Sequence, residues 1–181
     1  IAGADAHCQR LAGGANAGGK TWRAYLSAPG KFPSAATATA PASPGEPSVN
    51  ARDRIGKGPW FNAKGAMVAR NLDHLHNGNN LSKDTALDEK GNVIKGRGDA
   101  PNEHDILTGS RADGTAFAPQ QDTTCKAWTS STEGSAIVEC HPHTIAGALD
   151  PRHVFAEADV HALLPHLGGE MGAQVMVEDA Q

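Results

Sequence analysis

Residues 3–12, GADAHCQRLA, and residues 21–27, TWRAYLS, determine how the fold begins. In the first stretch Ala4, Cys8 and Leu11 recur at intervals of four and three, which predicts one face of a short helix. The second stretch alternates two sets of side chains with a period of two, which predicts a strand. A short helix followed by a strand favours the α+β class.

Further short elements are predicted downstream. Residues 28–48 are rich in Pro, Ala, Ser and Thr and predict an extended surface excursion or flexible insert. Residues 87–96, LDEKGNVIKG, predict a hairpin with a Gly turn. A short strand is expected at residues 106–107, and the alternation in residues 124–129 predicts a strand that buries the sulfur of Cys125.

The composition predicts a thin core and excludes several classes of protein. Leu, Ile, Val and Phe together make up 29 of the 181 residues, and the net charge is only −4. The low net charge argues against an extended disordered chain. The near balance of acidic and basic residues provides no excess of positive charge for binding nucleic acid. No apolar run approaches the ~20 residues of a membrane span. If the protein is exported, its leader is absent from the given chain.

Four motifs carry a resemblance to a known family. They are Gly3-Ala4-Asp5 with Cys8, TWRAYLS at residues 21–27, Gly109-Ser110 with Gly114, and Cys125 with Trp128. Over roughly residues 1–138 the chain resembles bacterial exported domains with the C-type lectin-like fold that are related to endostatin. The low-complexity insert at 28–48 lies within this domain. Residues 139–181 form a His-rich segment that departs from the family.

The resemblance implies short helices on a small, twisted antiparallel sheet joined by long loops, and a secreted, periplasmic or cell-surface location. It implies a non-enzymatic extracellular recognition module that binds a glycan or a protein through its loops. It also implies that Cys8 and Cys125 each pair with a cysteine near the C-terminus, where this chain offers only Cys140. The family pattern thus implies two disulfides where three cysteines can form one.

Loop residues supply the candidate ligand contacts, which are Trp60, Asn62, Asp99 and Asn102. Asp99 also ends the tripeptide Arg97-Gly98-Asp99, which a Gly turn would display for adhesion. Calcium-dependent sugar binding of the lectin type needs carboxylate and amide oxygens around the ion. Glu46-Pro47-Ser48 departs from the lectin tripeptide because Ser replaces the amide, so Ca²⁺ is a candidate that no motif firmly implies.

The C-terminal segment supplies the alternative hypotheses. Cys140, His141, His143 and His153 are sulfur and imidazole groups of the kind that bind Zn²⁺, for a structural or catalytic site. A helix over 155–164 and one short final strand are also expected there. A third hypothesis is a structural or assembly subunit in which this segment forms an oligomer with a neighbouring chain.

Acid and base side chains of the type used in catalysis occur at Asp88-Glu89 and at Glu103-His104-Asp105. Neighbouring residues on a strand face opposite sides, so the second group is not expected to converge. The sequence contains no nucleophile elbow, HExxH motif or phosphate-binding loop. An enzyme is therefore not the favoured interpretation.

Overall fold

The computed structural model describes residues 1–96, 98–101, 105–129, 138–140 and 176–178. The protein is a small mixture of short helices and short antiparallel strands, as the α+β prediction requires at this coarse level. Long loops connect these elements. In chain order they are α1 (Ala2–Gly14), β1 (Trp22–Ala24), a 3-10 helix (Ala51–Asp53), β2 (Trp60–Phe61), β3 (Met67–Ala69), α2 (Leu72–His76), β4 (Asp105–Leu107), α3 (Cys125–Trp128), β5 (Val138–Cys140) and β6 (Met176–Glu178).

The described strands pair as three antiparallel ladders of two strands each. β1 pairs with β6, β2 with β3, and β4 with β5. The expected strand at 106–107 and the expected final strand are both present as β4 and β6. The predicted domain boundary at residue 138 coincides with the first residue of β5. Both β5 and β6 pair with strands that precede this boundary. The expected helix over 155–164 lies outside the described residues.

The helix α1 and the strand β1 are locked together by Asp5. One oxygen of its carboxylate accepts a hydrogen bond from the Ala24 N–H at 2.9 Å, and the other forms an ion pair with Arg54. The Arg54 guanidinium also donates to the Ala24 carbonyl oxygen. Asp5 therefore joins three segments that are far apart in sequence, which explains the acidic residue at this helical position better than the helix dipole alone.

Among the described residues, two small clusters of buried side chains pack against the β1 segment and the residues that follow it. Ala24 and Leu26 pack with Cys8 in one cluster, and Tyr25 packs with Ile55 and other small or aromatic side chains in the second. The predicted alternation is present, but both faces are covered, so residues 24–27 are all buried. Few large aliphatic side chains take part, which confirms the thin core expected from composition.

A buried polar group, here called the Ser27 hub, connects this segment to residues between 51 and 128. Ser27 is 0% exposed and its N–H donates to the Thr108 carbonyl at 2.9 Å. Its hydroxyl lies 2.8 Å from that of Ser110 and accepts from the Ala51 N–H. Its carbonyl accepts from the indole N–H of Trp128 at 2.7 Å. These bonds satisfy buried polar groups that would otherwise cost free energy.

The strand predicted over residues 124–129 is wrong. Residues 125–128 all have positive φ, from 48° to 65°, and form a left-handed helical turn. The Thr124 hydroxyl accepts from the Ala127 N–H, and the Trp128 N–H donates to the Thr124 carbonyl. Such a turn costs roughly 1–2 kcal/mol per residue, which tertiary contacts such as the Trp128 bond to Ser27 must offset. The predicted burial of Cys125 is confirmed.

The helices of the described residues are all short or polar. None of them is long and apolar enough to cross a bilayer.

Candidate functional site

The most unusual surface feature is residues 28–49, here called the arm, which includes the segment 28–48 predicted as an extended surface excursion or flexible insert. Its sequence reads as triplets, APG-KFP-SAA-TAT-APA-SPG-EPS-V. The first residues of these triplets pair across two antiparallel legs, Ala28 with Val49, Lys31 with Glu46, and Ser34 with Ser43. The arm is thus a paired structure with a three-residue period, whereas an ordinary ladder has a period of two.

Each pair exchanges two backbone hydrogen bonds. The six N···O distances lie between 2.8 and 2.9 Å, and the Thr37 N–H closes the tip by donating to the Ala40 carbonyl. The arm's prolines all lie at the second or third triplet position, where no ladder N–H is needed. With a rise of about 3 Å per residue, nine residues carry the tip roughly 28 Å from the first pair.

The legs approach each other most closely at the Lys31–Glu46 pair. A Cβ atom added at Gly30 would lie 2.4 Å from the Glu46 carbonyl oxygen, and one at Gly45 would lie 2.5 Å from that of Lys31. Gly45 also has φ of 81°, a left-handed value that favours glycine. Both glycines occupy the third triplet position, so the third position faces the opposite leg at this level of the arm.

The second triplet position carries the exposed surface of the arm. It is occupied by apolar residues throughout, and Phe32 is 56% exposed. All of these residues are exposed except the half-buried Pro29. The full set is Pro29, Phe32, Ala35, Ala38, Pro41, Pro44 and Pro47. Exposed apolar rows on an ordered, hydrogen-bonded scaffold are typical of interaction surfaces.

The arm carries almost no charge. Lys31 and Glu46 are its only ionisable side chains, and they form an ion pair with each other at 2.8 Å. Both side chains are mostly exposed, so the pair contributes little to stability. The surface presented by the arm is therefore neutral and apolar.

A second cluster lies at the buried edge of the core around His76. Its Nδ1 donates to the Leu72 carbonyl at 2.7 Å, which leaves Nε2 to accept from the Tyr25 hydroxyl at 2.6 Å. Burial lowers the pKa of His76 below 6.5, and Arg52 adds to this, although the Leu72 bond and nearby carboxylates oppose it. The backbone of Gly114 lies against both rings. This hydrogen-bonded pair links the residue that follows β1 to the last residue of α2.

Two of the predicted ligand residues have their polar atoms engaged inside the protein. Trp60 is 3% exposed, and its indole N–H donates to the Ile55 carbonyl, so its ring belongs to the core. The Asn62 amide oxygen accepts from Lys64 and Ala66 in the turn between β2 and β3. The side chain of Asn62 thus shapes the β2–β3 turn.

The other two predicted ligand residues lie elsewhere. The Asp99 carboxylate accepts from the Lys83 ammonium at 2.7 Å and from the Gly96 N–H, and these bonds hold its pKa below the usual range. Asn102 and Arg97 lie outside the described residues. Neither of these two Asp99 bonds joins it to Trp60 or Asn62, and ligand binding by this set stays a prediction.

Among the described side chains, Asp88 and Asp122 also close turns. Asp88 accepts from the N–H groups of Lys90 and Asn92, which confirms the turn predicted within residues 87–96. Asp122 accepts from Thr124 and Lys126. No group of three His, Cys, Asp or Glu side chains in the described part of the chain is arranged to hold a metal ion.

The predicted zinc ligands are outside this description. His141, His143 and His153 are not among the described residues, and Cys140 is described only as a member of β5. Binding of Zn²⁺ there stays a prediction, and no motif in the described residues adds a case for Ca²⁺.

The cysteines form no disulfide within the described residues. Burial, followed by the charge of Asp5, raises the pKa of the Cys8 thiol to about 11. Burial also raises the pKa of the Cys125 thiol. Both thiols are thus poorly reactive at neutral pH, and a disulfide to Cys140 stays a prediction of the resemblance.

The sequence-based site prediction missed the arm. The signal was present in PASPGEP at residues 41–47, where prolines recur at intervals of three. A strict triplet period in a Pro-rich segment indicates a regular extended conformation rather than a flexible linker.

Comparison of the chain with family models, with curated proteins and with solved structures returned no match.

Proposed function

We propose that this protein is a non-enzymatic, exported recognition module that binds a glycan or protein ligand through its loops, with the arm as the principal contact surface. The observation that most directly supports this proposal is the exposed apolar row at the second triplet position of the arm, whose legs are held by paired hydrogen bonds. An ordered surface loses less conformational entropy on binding than a flexible loop does.

The contacts among the motifs that carry the resemblance support a C-type lectin-like arrangement within this proposal. The Asp5 of the GAD motif holds the strand of the TWRAYLS motif, and Ser110 and Trp128 of the distal motifs meet at Ser27. The four motifs that carry the resemblance therefore contact one another in the core. Their polar groups are used for structure, which leaves the loops outside them for recognition.

The arm differs from a second exposed aromatic surface among the described residues. Phe61 is 50% exposed in the short β2–β3 hairpin, opposite Met67, and the turn of this hairpin contains the charged Lys64. Phe32 instead belongs to a continuous apolar row. Phe61 therefore provides a matched control for the contribution of Phe32.

The test applies the purified full chain, with and without EDTA, to a glycan array and to an array of cell-surface and extracellular proteins. We expect at least one ligand to be bound, at least tenfold weaker binding by Phe32→Ser, and unchanged binding by Phe61→Ser. Absence of any ligand on both arrays, or equal loss in the two variants, would overturn the proposal.

A further inference from the structure

The second triplet row of the returning leg contains Pro41, Pro44 and Pro47, and all three are exposed. Each proline directly follows a residue that pairs with the other leg, where the residue before proline prefers an extended conformation. The triplet period and the restricted φ of proline together favour the polyproline II geometry between Pro41 and Pro44. The positive φ of Gly45 limits this geometry to the part before Pro44.

Grooves lined with aromatic side chains bind proline-rich segments whose prolines lie three residues apart, because such a segment is already extended before it binds. In a free peptide this conformation is only one of several. Here the double hydrogen bonds of the Ser34–Ser43 and Lys31–Glu46 pairs hold the leg on both sides of Pro44.

The charge of the arm restricts the partner further. Its only two charged side chains neutralise each other across the legs, so no fixed charge remains to attract a basic or acidic surface. The recognised surface is therefore expected to be uncharged as well as aromatic.

We propose that the arm is a preformed proline-rich docking ligand for a protein partner. The segment from Pro41 to Pro44 binds in an uncharged, aromatic-lined groove of that partner. This inference rests on the proposed function and narrows its ligand to a protein of one chemical class. Phe32 lies on the other leg opposite Gly45, because Lys31 pairs with Glu46, and it extends the apolar contact at the Pro44 end of this segment.

In the test, the unlabelled full chain is added to each of a panel of isotope-labelled SH3 and WW domains, and the NMR chemical shifts of the labelled domain are measured. These domains serve as probes because each has an aromatic-lined groove that binds proline-rich segments. We expect shifts confined to the aromatic groove of at least one domain, and at least tenfold weaker binding by the double variant Pro41→Ala/Pro44→Ala. The matched control Pro33→Ala removes a proline from a third triplet position and should bind as the original chain does.

Folding of the arm is checked separately by hydrogen exchange at Lys31 and Glu46. Since proline donates no ladder hydrogen bond, their protection should be the same in the double variant. Absence of groove shifts across the panel, or equal binding by the double variant, would overturn the docking inference. If Phe32→Ser still weakens binding to a ligand found on the arrays in that case, the proposed function stands without the docking inference.

Discussion

The arm and the Ser27 hub begin at adjacent residues, yet they distribute polar and apolar groups in opposite ways. In the hub, hydroxyls and carbonyls are buried and hydrogen-bonded to each other. In the arm, proline and phenylalanine side chains face solvent while backbone hydrogen bonds hold the legs together. The comparison teaches that the hub stabilises the fold by hydrogen-bonding its buried polar groups, whereas the arm is held by backbone hydrogen bonds and leaves its apolar side chains exposed.

The largest effect is expected at Gly109, which lies beneath the hub. Its φ is 63°, and an added Cβ would lie 2.4 Å from the Thr124 methyl and near the Trp128 ring. Gly109→Ala should lower the free energy of unfolding by about 3 kcal/mol, since left-handed strain adds to displacement of a buried side chain. Urea unfolding followed by tryptophan fluorescence measures this loss. A change below about 1 kcal/mol would contradict the central role of the hub.

Two ion pairs allow the same comparison for charge. Asp5 and Arg54 are 23% and 12% exposed and also bond to the backbone of Ala24. Asp5→Ala should cost about 2 kcal/mol, because it leaves a largely buried guanidinium without its carboxylate. The matched variant Glu46→Gln, in the exposed pair of the arm, should cost less than about 0.5 kcal/mol. Equal losses in thermal unfolding would remove the distinction between the two regions.

The Tyr25–His76 pair makes the core sensitive to pH. Burial lowers the pKa of His76, so the unfolded chain takes up a proton near pH 6.5 while the folded protein takes it up only at lower pH. Stability should therefore be fully present above pH 6.5 and decline as the pH falls through the folded pKa. His76→Gln, whose amide can still accept from Tyr25, should reduce this decline. Urea unfolding at pH 7.5 and pH 5 provides the measurement.

The smallest global effect is expected in the arm. Gly45→Ala should separate the legs near the Lys31–Glu46 pair, because φ of 81° and a 2.5 Å approach leave no room for a methyl group. Hydrogen exchange at the Lys31 and Glu46 amides should accelerate at least tenfold. Global stability should change by less than about 0.5 kcal/mol, as expected for a region that opens locally. A loss as large as that of Gly109→Ala would make the arm part of the cooperative core.

Elements with a strong local signal were predicted well. The helix at the start of the chain, the following strand and the turn within residues 87–96 are present because periodicity and turn residues act over a few neighbours. The prediction at residues 124–129 was wrong because alternation cannot distinguish a strand from a left-handed turn that distant contacts hold. The prediction that Trp60 contacts a ligand has no support, because its side chain is buried. That burial depends on Ile55 and other residues that folding brings together.

The amino-acid sequence by itself determined the α1–β1 start, the small core and the triplet period of the arm, because each follows from side chains within a few residues of one another. Tertiary structure alone decided that Asp5 joins Arg54, that Ser27 bonds to Trp128 across 101 residues, and that the triplets pair into two legs. These contacts link residues far apart in the chain, and their partners are selected by burial and hydrogen-bond satisfaction in the folded protein.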